Sequence, residues 1–190
     1  MPATPKLAHV VFQTSKLEQM RDWYAKVLDA HVVFESPDLC FMTFDEEHHR
    51  IAFMSPPIQL EKKSPMAAGM HHTAYTFDHL DDLLDRYSAL IELGIEPAVP
   101  VQHGVTTSLY YGDPDGNFVE LQVDNFATPQ EATDYMCGPE YAADAAGPTF
   151  DPALMLEARR GGAEPAELTT REWALTGPKL PGALEAFAGL

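Results

Sequence analysis

Two histidines and one glutamate lie in segments whose side-chain alternation predicts β-strands. His9 opens an apolar run over residues 9–12, His72 opens a similar run over 72–75, and Glu120 lies between apolar neighbours in residues 117–122. Two neutral imidazoles and one carboxylate suit a mononuclear Fe(II) site with positions left open for substrate and oxygen, and Mn(II) suits the same donors. A single histidine in a strand is usually structural, so the prediction of a metal site depends on whether the two histidines are equivalent.

An internal repeat makes the two histidines equivalent. In each half of the repeat, a tyrosine follows the histidine by fifteen residues, and an aspartate precedes that tyrosine by two. The matching pairs are His9 and His72, Asp22 and Asp85, and Tyr24 and Tyr87. Self-similarity along a chain indicates a repeated structural unit. We therefore predict two modules, over about residues 6–56 and 70–124.

Each module is predicted to fold as βαβββ, which gives an α+β fold. Residues 7–13 alternate as in a strand, and apolar residues at helical spacing follow in both modules. Ser15 and Glu18 have the spacing of a capping box, Asp78 is the predicted cap of the second helix, and Gly94 suits its end. Further strands are predicted over 31–35, 39–44, 50–54, 105–111 and 117–123.

The chain after the second module has a different composition. We divide the sequence into a domain over residues 1–125 and an extension over 126–190, which is rich in Ala, Glu, Pro and Gly. Helices are predicted over 129–137, 151–160 and 182–188, while the composition of the last 20 or so residues is compatible with disorder. The apolar side chains within 126–160 predict that this part packs near the mouth of the site.

Composition narrows the class of ligand. The chain has 190 residues, 12 Lys and Arg against 29 Asp and Glu, and a formal net charge of −17. This acidity argues against binding nucleic acid or anionic membranes, since both need basic side chains. Two distant cysteines and the lack of a long apolar segment indicate a cytoplasmic protein. We expect a small-molecule substrate, and a homo-oligomer (a dimer or higher) that covers the strand edges.

Several motifs together resemble one known family. These motifs are residues 8–11 (AHVV) followed by 23–24 (WY), 47–53 (EHHRIAF), 70–74 (MHHTA) and 103–120 (HGVTTSLYYGDPDGNFVE). The sequence over about 6–124 resembles the type I extradiol ring-cleaving dioxygenases of the vicinal oxygen chelate superfamily. The long members of that family carry a further module pair, which this sequence lacks.

The resemblance implies a function and a role for each site residue. It implies that an aromatic diol of the catechol type reacts with O2 and is opened to a muconic semialdehyde-type product. By resemblance, His9, His72 and Glu120 hold Fe(II). His49 is then the acid–base histidine, Tyr110 contacts the bound catecholate, and His103 lies beside it.

Side-chain alternation predicts the strand face on which each of these residues lies. His49 shares its parity with Ile51 and Phe53, which predicts that all three face a pocket while Ala52 faces the helices. His48 is then an exposed turn residue. Tyr110 shares a face with Thr106 and Ser108, which is polar enough for a binding pocket.

Two other functions are compatible with the same scaffold. A glyoxalase-like lyase or isomerase usually takes a fourth protein ligand, a glutamate in the first module that mirrors Glu120, but residues 50–58 contain no carboxylate. A metal-free binding module, such as a resistance protein, would not need His9, His72 and Glu120 together. We expect ring cleavage.

Overall fold

The computed structural model describes residues 3–64 and 68–189, which divide into two units. The first unit comprises Met1–Ala67 with Asp113–Asn117, and the second comprises Ala68–Gly112 with Phe118–Leu190. Residues 1, 2, 65–67 and 190 lie outside the described residues, and with them the outer ends of the predicted ranges 1–125 and 126–190.

The first unit is a four-stranded mixed sheet with one helix. The strands lie in the order β1-β4-β3-β2, with β1 parallel to β4 and the other pairs antiparallel. Its elements are β1 (Val10–Gln13), α1 (Leu17–Leu28), β2 (His31–Glu35), β3 (Leu39–Thr43) and β4 (Ile51–Met54). This is the predicted βαβββ order.

The core of the first unit lies between α1 and its sheet. Met20, Tyr24 and Val27 recur at helical spacing and are fully buried. The ring of Tyr24 lies 5.1 Å from that of Phe53, edge to face. Phe53 therefore faces the helix.

This packing corrects the predicted faces of β4. Ile51 and Phe53 are fully buried on the helix side, so Ala52 lies on the opposite face, which reverses the prediction. The reason is local, since β4 begins at Ile51 and the alternation within the strand does not extend back to His49.

The second unit repeats this topology. Its sheet has the order β5-β8-β7-β6, with β5 parallel to β8 and the other pairs antiparallel. The elements are β5 (His72–Phe77), α2 (Leu80–Glu92), β6 (Val99–Gln102), β7 (Thr106–Gly112) and β8 (Phe118–Asp124). The α+β class and the two βαβββ modules are confirmed.

The C-terminal extension belongs to the second unit and is helical. Its helices are α3 (Pro129–Met136), α4 (Pro139–Ala143), α5 (Pro152–Arg160), α6 (Pro165–Leu168), α7 (Arg171–Ala174) and α8 (Ala183–Ala188). The three predicted helices are confirmed, and residues near the end of the chain, whose composition is compatible with disorder, form α8. Among the described residues, no helix has both the length and the apolar character needed to cross a membrane.

The N-caps predicted for α1 and α2 were wrong, and the prediction that Gly94 ends α2 is confirmed. The N-cap of α1 is Lys16, whose backbone N–H donates to Thr14 Oγ1 at 2.8 Å, so Ser15 and Glu18 form no capping box. The N-cap of α2 is His79 and not Asp78. Gly94 ends α2 with φ of 71°, a conformation that favours glycine.

Candidate functional site

Strand register in the second unit places three predicted site residues on one face. Ala74 of β5 pairs with Glu120 of β8, which pairs in turn with Tyr110 of β7. His72 lies two residues before Ala74 and therefore shares its face. His72 Nε2 is 3.0 Å from Glu120 Oε2. The alternation in β5, β7 and β8 thus produces a cluster of one imidazole, one carboxylate and one phenol.

Glu120 is a buried carboxylate with polar partners. Only 4% of it is exposed. Burial raises the pKa of Glu120, but hydrogen bonding to His72 and Ser108 outweighs burial and leaves the pKa below its ordinary value. Glu120 is therefore an anion at neutral pH, as a metal ligand must be.

His103 and Tyr110 form a hydrogen-bonded pair with a defined direction. His103 Nδ1 lies 2.7 Å from the carbonyl oxygen of Ala146, which can only accept, so the ring proton is on Nδ1. Burial lowers the pKa of His103 and favours the neutral ring. Nε2 can then accept from Tyr110 Oη at 3.0 Å, the phenol also hydrogen-bonds the Glu120 carboxylate, and the tyrosine oxygen keeps lone pairs for another donor. Burial also raises the pKa of Tyr110 far above its ordinary value, so the phenol keeps its proton.

The extension holds the loop that carries His103. Arg171 of α7 donates to the backbone carbonyl of His103 at 2.5 Å, and its guanidinium lies 5.8 Å and 5.6 Å from the ring centroids of Tyr135 and Tyr141. Sequence analysis did not identify Arg171. No local signal could have found it, because the arginine and the histidine are 68 residues apart.

The first unit brings His9 and His49 together. Their ring centroids are 4.4 Å apart, and the ring of His49 also stacks on Phe41 at 4.9 Å. Burial lowers the pKa of His49, and the neighbouring His9 adds to this effect. His48 is exposed, as predicted, and its Nδ1 lies 2.6 Å from Nδ1 of His49. His49 is thus the histidine of this pair that contacts His9 and an aromatic ring.

The predicted site residues form two groups. His72, Glu120, Tyr110 and His103 belong to the second unit, and His9 and His49 to the first. Among the described residues, neither unit by itself contains three or more His, Cys, Asp or Glu side chains arranged to hold a metal ion. The three-residue ligand set therefore stays a prediction.

The repeat allows the two modules to be compared position by position. Glu120 pairs with the residue two positions after His72, and Ala52 pairs with the residue two positions after His9. Ala52 therefore occupies the position of Glu120, and it is a residue that cannot ligate a metal. The first module offers no fourth ligand at this position.

Comparison with known proteins assigns the family. Residues 6–121 match the model of the Glyoxalase/Bleomycin resistance protein/Dioxygenase superfamily. The chain belongs to this superfamily. Within it, the chain is 64% identical over 188 residues to biphenyl-2,3-diol 1,2-dioxygenase 2 of Rhodococcus globerulus, covering 98% of this chain and 99% of that one.

Two further proteins are similar to this chain. The chain is 58% identical to biphenyl-2,3-diol 1,2-dioxygenase 3 of the same organism, over 92% of this chain and 93% of that one. A solved structure of a fosfomycin resistance protein from Mesorhizobium loti covers 69% of this chain and 99% of that one, with a TM-score of 0.52 and 24% identity. The solved structure supports the fold alone.

Proposed function

We propose that this protein is an extradiol dioxygenase that inserts both atoms of O2 into a catechol-type diol. The observation that carries the proposal is the 64% identity, along nearly the whole chain, to biphenyl-2,3-diol 1,2-dioxygenase 2. That name places the hydroxyl groups on C2 and C3 and the cleaved bond between C1 and C2, beside the diol and not within it. In biphenyl-2,3-diol such a cleavage leaves a ketone at the carbon that carries the phenyl group, and in an unsubstituted catechol the equivalent cleavage gives an open chain of the muconic semialdehyde type.

The proposed metal ligands are His9, His72 and Glu120. The donor set of the second unit fits a divalent cation, because Glu120 is buried and anionic and lies next to the imidazole of His72. Fe(II) is the metal that we propose, and Mn(II) suits the same donors. When bound, such a metal lowers the pKa of the diol oxygens and gives O2 a route to the electrons of the ring.

The other site residues bind the substrate, transfer its proton or position a residue that does. Tyr110 donates to His103, so its oxygen can accept a hydrogen bond from a diol hydroxyl and fix the orientation of the ring. His103 is held by Ala146 and keeps Tyr110 in place. His49 is proposed as the acid–base group, which removes a proton from the diol and later returns it to the departing oxygen.

Charge and the exposed edge strand of the first unit bear on where the protein acts and how it assembles. The net charge of −17 and the substrate class fit a cytoplasmic enzyme of aromatic catabolism. The exposed apolar side chains of the edge strand β2, Val32 to Phe34, favour a homo-oligomer, in the simplest case a dimer. Light scattering should give a multiple of 21.0 kDa, and a mass of one chain at all concentrations would contradict this assembly.

The function is tested by anaerobic reconstitution. The purified protein is loaded with Fe(II), mixed with oxygenated buffer and offered a panel of catechols. We expect O2 uptake together with a yellow open-chain product. The absence of O2 uptake by protein with full iron content, on every diol tested, would overturn the proposal.

A further inference from the structure

The last helix of the described chain lies on the face of the second sheet that carries the site. Ala183 of α8 is 3% exposed and packs with Val99 and Val101 of β6 and with Tyr110 of β7. Tyr110 is the residue that pairs with Glu120. The helix α8 is therefore adjacent to the proposed catalytic face. Its first residue, Ala183, lies 63 positions after Glu120 in the sequence.

Phe187 projects from α8 into a group of aromatic rings. Its ring centroid lies 4.9 Å from Tyr110, 5.0 Å from His71 and 5.4 Å from Phe118, and each pair meets edge to face. Such contacts are favourable beyond the area that they bury. They fix the position of Phe187 relative to the sheet.

These rings lie next to the proposed metal ligand His72. Phe118 pairs with His72 in the strand register, and the ring of Tyr110 contacts the ring of His72 at 5.2 Å. Tyr110 is thus in edge contact with His72 and with Phe187, at interplanar angles of 81° and 88°. The Phe187 ring group is therefore the apolar neighbour of Tyr110, the residue proposed to orient the diol.

The ring group keeps apolar surface for a ligand. Phe187 and Phe118 are only half-buried, and His71 is exposed. Ligand pockets are lined mainly by apolar and aromatic side chains with a few polar groups that fix orientation. Here Tyr110 and His103 supply the polar groups, and Phe187 and Phe118 supply an aromatic wall.

We propose that Phe187 is a specificity-determining residue, which binds the aryl substituent of a substituted catechol against the wall that it forms with Phe118 and His71. This inference rests on the proposed function. It assigns the selection of the substituent to the C-terminal helix, while the diol itself is held by the sheet. Loss of the phenyl ring of Phe187 should therefore weaken binding of an aryl-substituted diol much more than binding of unsubstituted catechol.

The test compares two substrates in three variants. Steady-state kcat/KM is measured for 3-phenylcatechol and for catechol in Phe187→Ala, Phe187→Leu and the control Leu184→Ala. Leu184 lies on the same helix and is 76% exposed. We expect Phe187→Ala to lower the ratio of the two kcat/KM values by about 10-fold or more, mainly through KM, because this is the usual worth of a lost apolar contact in a pocket.

The remaining outcomes are distinguishable. Phe187→Leu should lower the ratio less, and Leu184→Ala should leave it unchanged. If Phe187→Ala loses its helix content, Phe187→Leu decides the question, and an unchanged or increased ratio in the folded variant overturns the inference. If the wild-type protein with full iron content cleaves neither diol, the proposed function fails, whereas cleavage with an unaltered ratio in both variants overturns only the role of Phe187.

Discussion

The two modules share one backbone and differ in the side chains at matching positions. Both sheets have the same strand order, with the first strand of the module parallel to the last. Where the second module has Glu120 paired with Tyr110, the first has Ala52 paired with Phe41. Each module thus has a histidine before or at the start of its first strand, and only the second module has a carboxylate and a phenol paired on its sheet. The two modules therefore have the same backbone topology but different side chains available for chemistry.

The modules also differ in what covers matching faces of their sheets. In the first unit, Val11 of β1 pairs with Ala52 and is 53% exposed. In the second unit, Tyr110 is 3% exposed and is covered by α8, while α7 holds the loop of His103 through Arg171. The C-terminal extension therefore packs against the second module, which contains Glu120.

The largest effect is expected from removing the proposed metal ligands. His9→Ala, His72→Ala and Glu120→Ala should each abolish iron retention and activity while the chain still folds, since each removes one of three donors. The matched control is Gln122→Ala, two residues after Glu120 on the same face of β8. Iron content and circular dichroism check the prediction. Full iron occupancy and turnover in any of the three would remove that residue from the ligand set.

The next effect separates two adjacent histidines of the first module. His49→Gln should leave iron and diol binding nearly intact and slow turnover by roughly 10²–10⁴, the usual worth of a positioned proton donor. His48→Gln should be close to neutral, because His48 is exposed and only His49 contacts both His9 and Phe41. Turnover rates with iron measured in each variant test this pair. A slow His48→Gln beside an active His49→Gln would reverse the assignment.

A smaller effect concerns how the extension supports the second module. Gly94 and Gly104 both have positive φ, at 71° and 89°, but an added Cβ meets nothing at Gly94 and lies 2.4 Å from Tyr135 Oη at Gly104. Gly94→Ala should lower the free energy of unfolding by about 1 kcal/mol, because alanine disfavours the positive φ at this position. Gly104→Ala should cost roughly 1–3 kcal/mol more because it displaces the ring of Tyr135. Denaturant unfolding of both variants measures the difference, and equal costs would show that Tyr135 is free to move.

The smallest effect distinguishes the two cysteines. Cys40 lies in the core of the first unit, and burial raises the pKa of its thiol to about 11, whereas Cys137 at the end of α3 is exposed. Iodoacetamide at pH 8 should therefore label Cys137 in the native protein and leave Cys40 unmodified, because the thiolate is the reactive form. Mass spectrometry of tryptic peptides checks this, and labelling of Cys40 in the folded protein would contradict the packing of that core.

The sequence was sufficient to predict the fold and part of the site. The alternation of side chains correctly predicted the strand faces of Glu120 and Tyr110, because both residues lie within regular strands. It failed for His49, which lies two residues before the first residue of β4. Strand β6 was missed because Pro100 weakens a strand pattern, and β6 is an edge strand, where proline is tolerated.

The contacts made by the extension could not be predicted. Phe187 contacts Tyr110, and Arg171 contacts the backbone of His103. Both contacts depend on how a long segment folds back onto the sheet, and no local sequence pattern predicts them. The predicted packing of residues 126–160 near the site is supported by the bond from His103 to Ala146. The helix that contacts Tyr110 lies later in the chain.

The central claim is that the asymmetric site carries out ring cleavage with O2, and isotope labelling tests it most directly. The iron-loaded protein is mixed anaerobically with 3-phenylcatechol and exposed to ¹⁸O2, and the product is analysed by mass spectrometry under conditions that limit exchange with water. The account predicts an open-chain product that has gained both oxygen atoms from O2, and no such product from Glu120→Ala. A product with one or no labelled oxygen at formation, or full activity in Glu120→Ala, would contradict it.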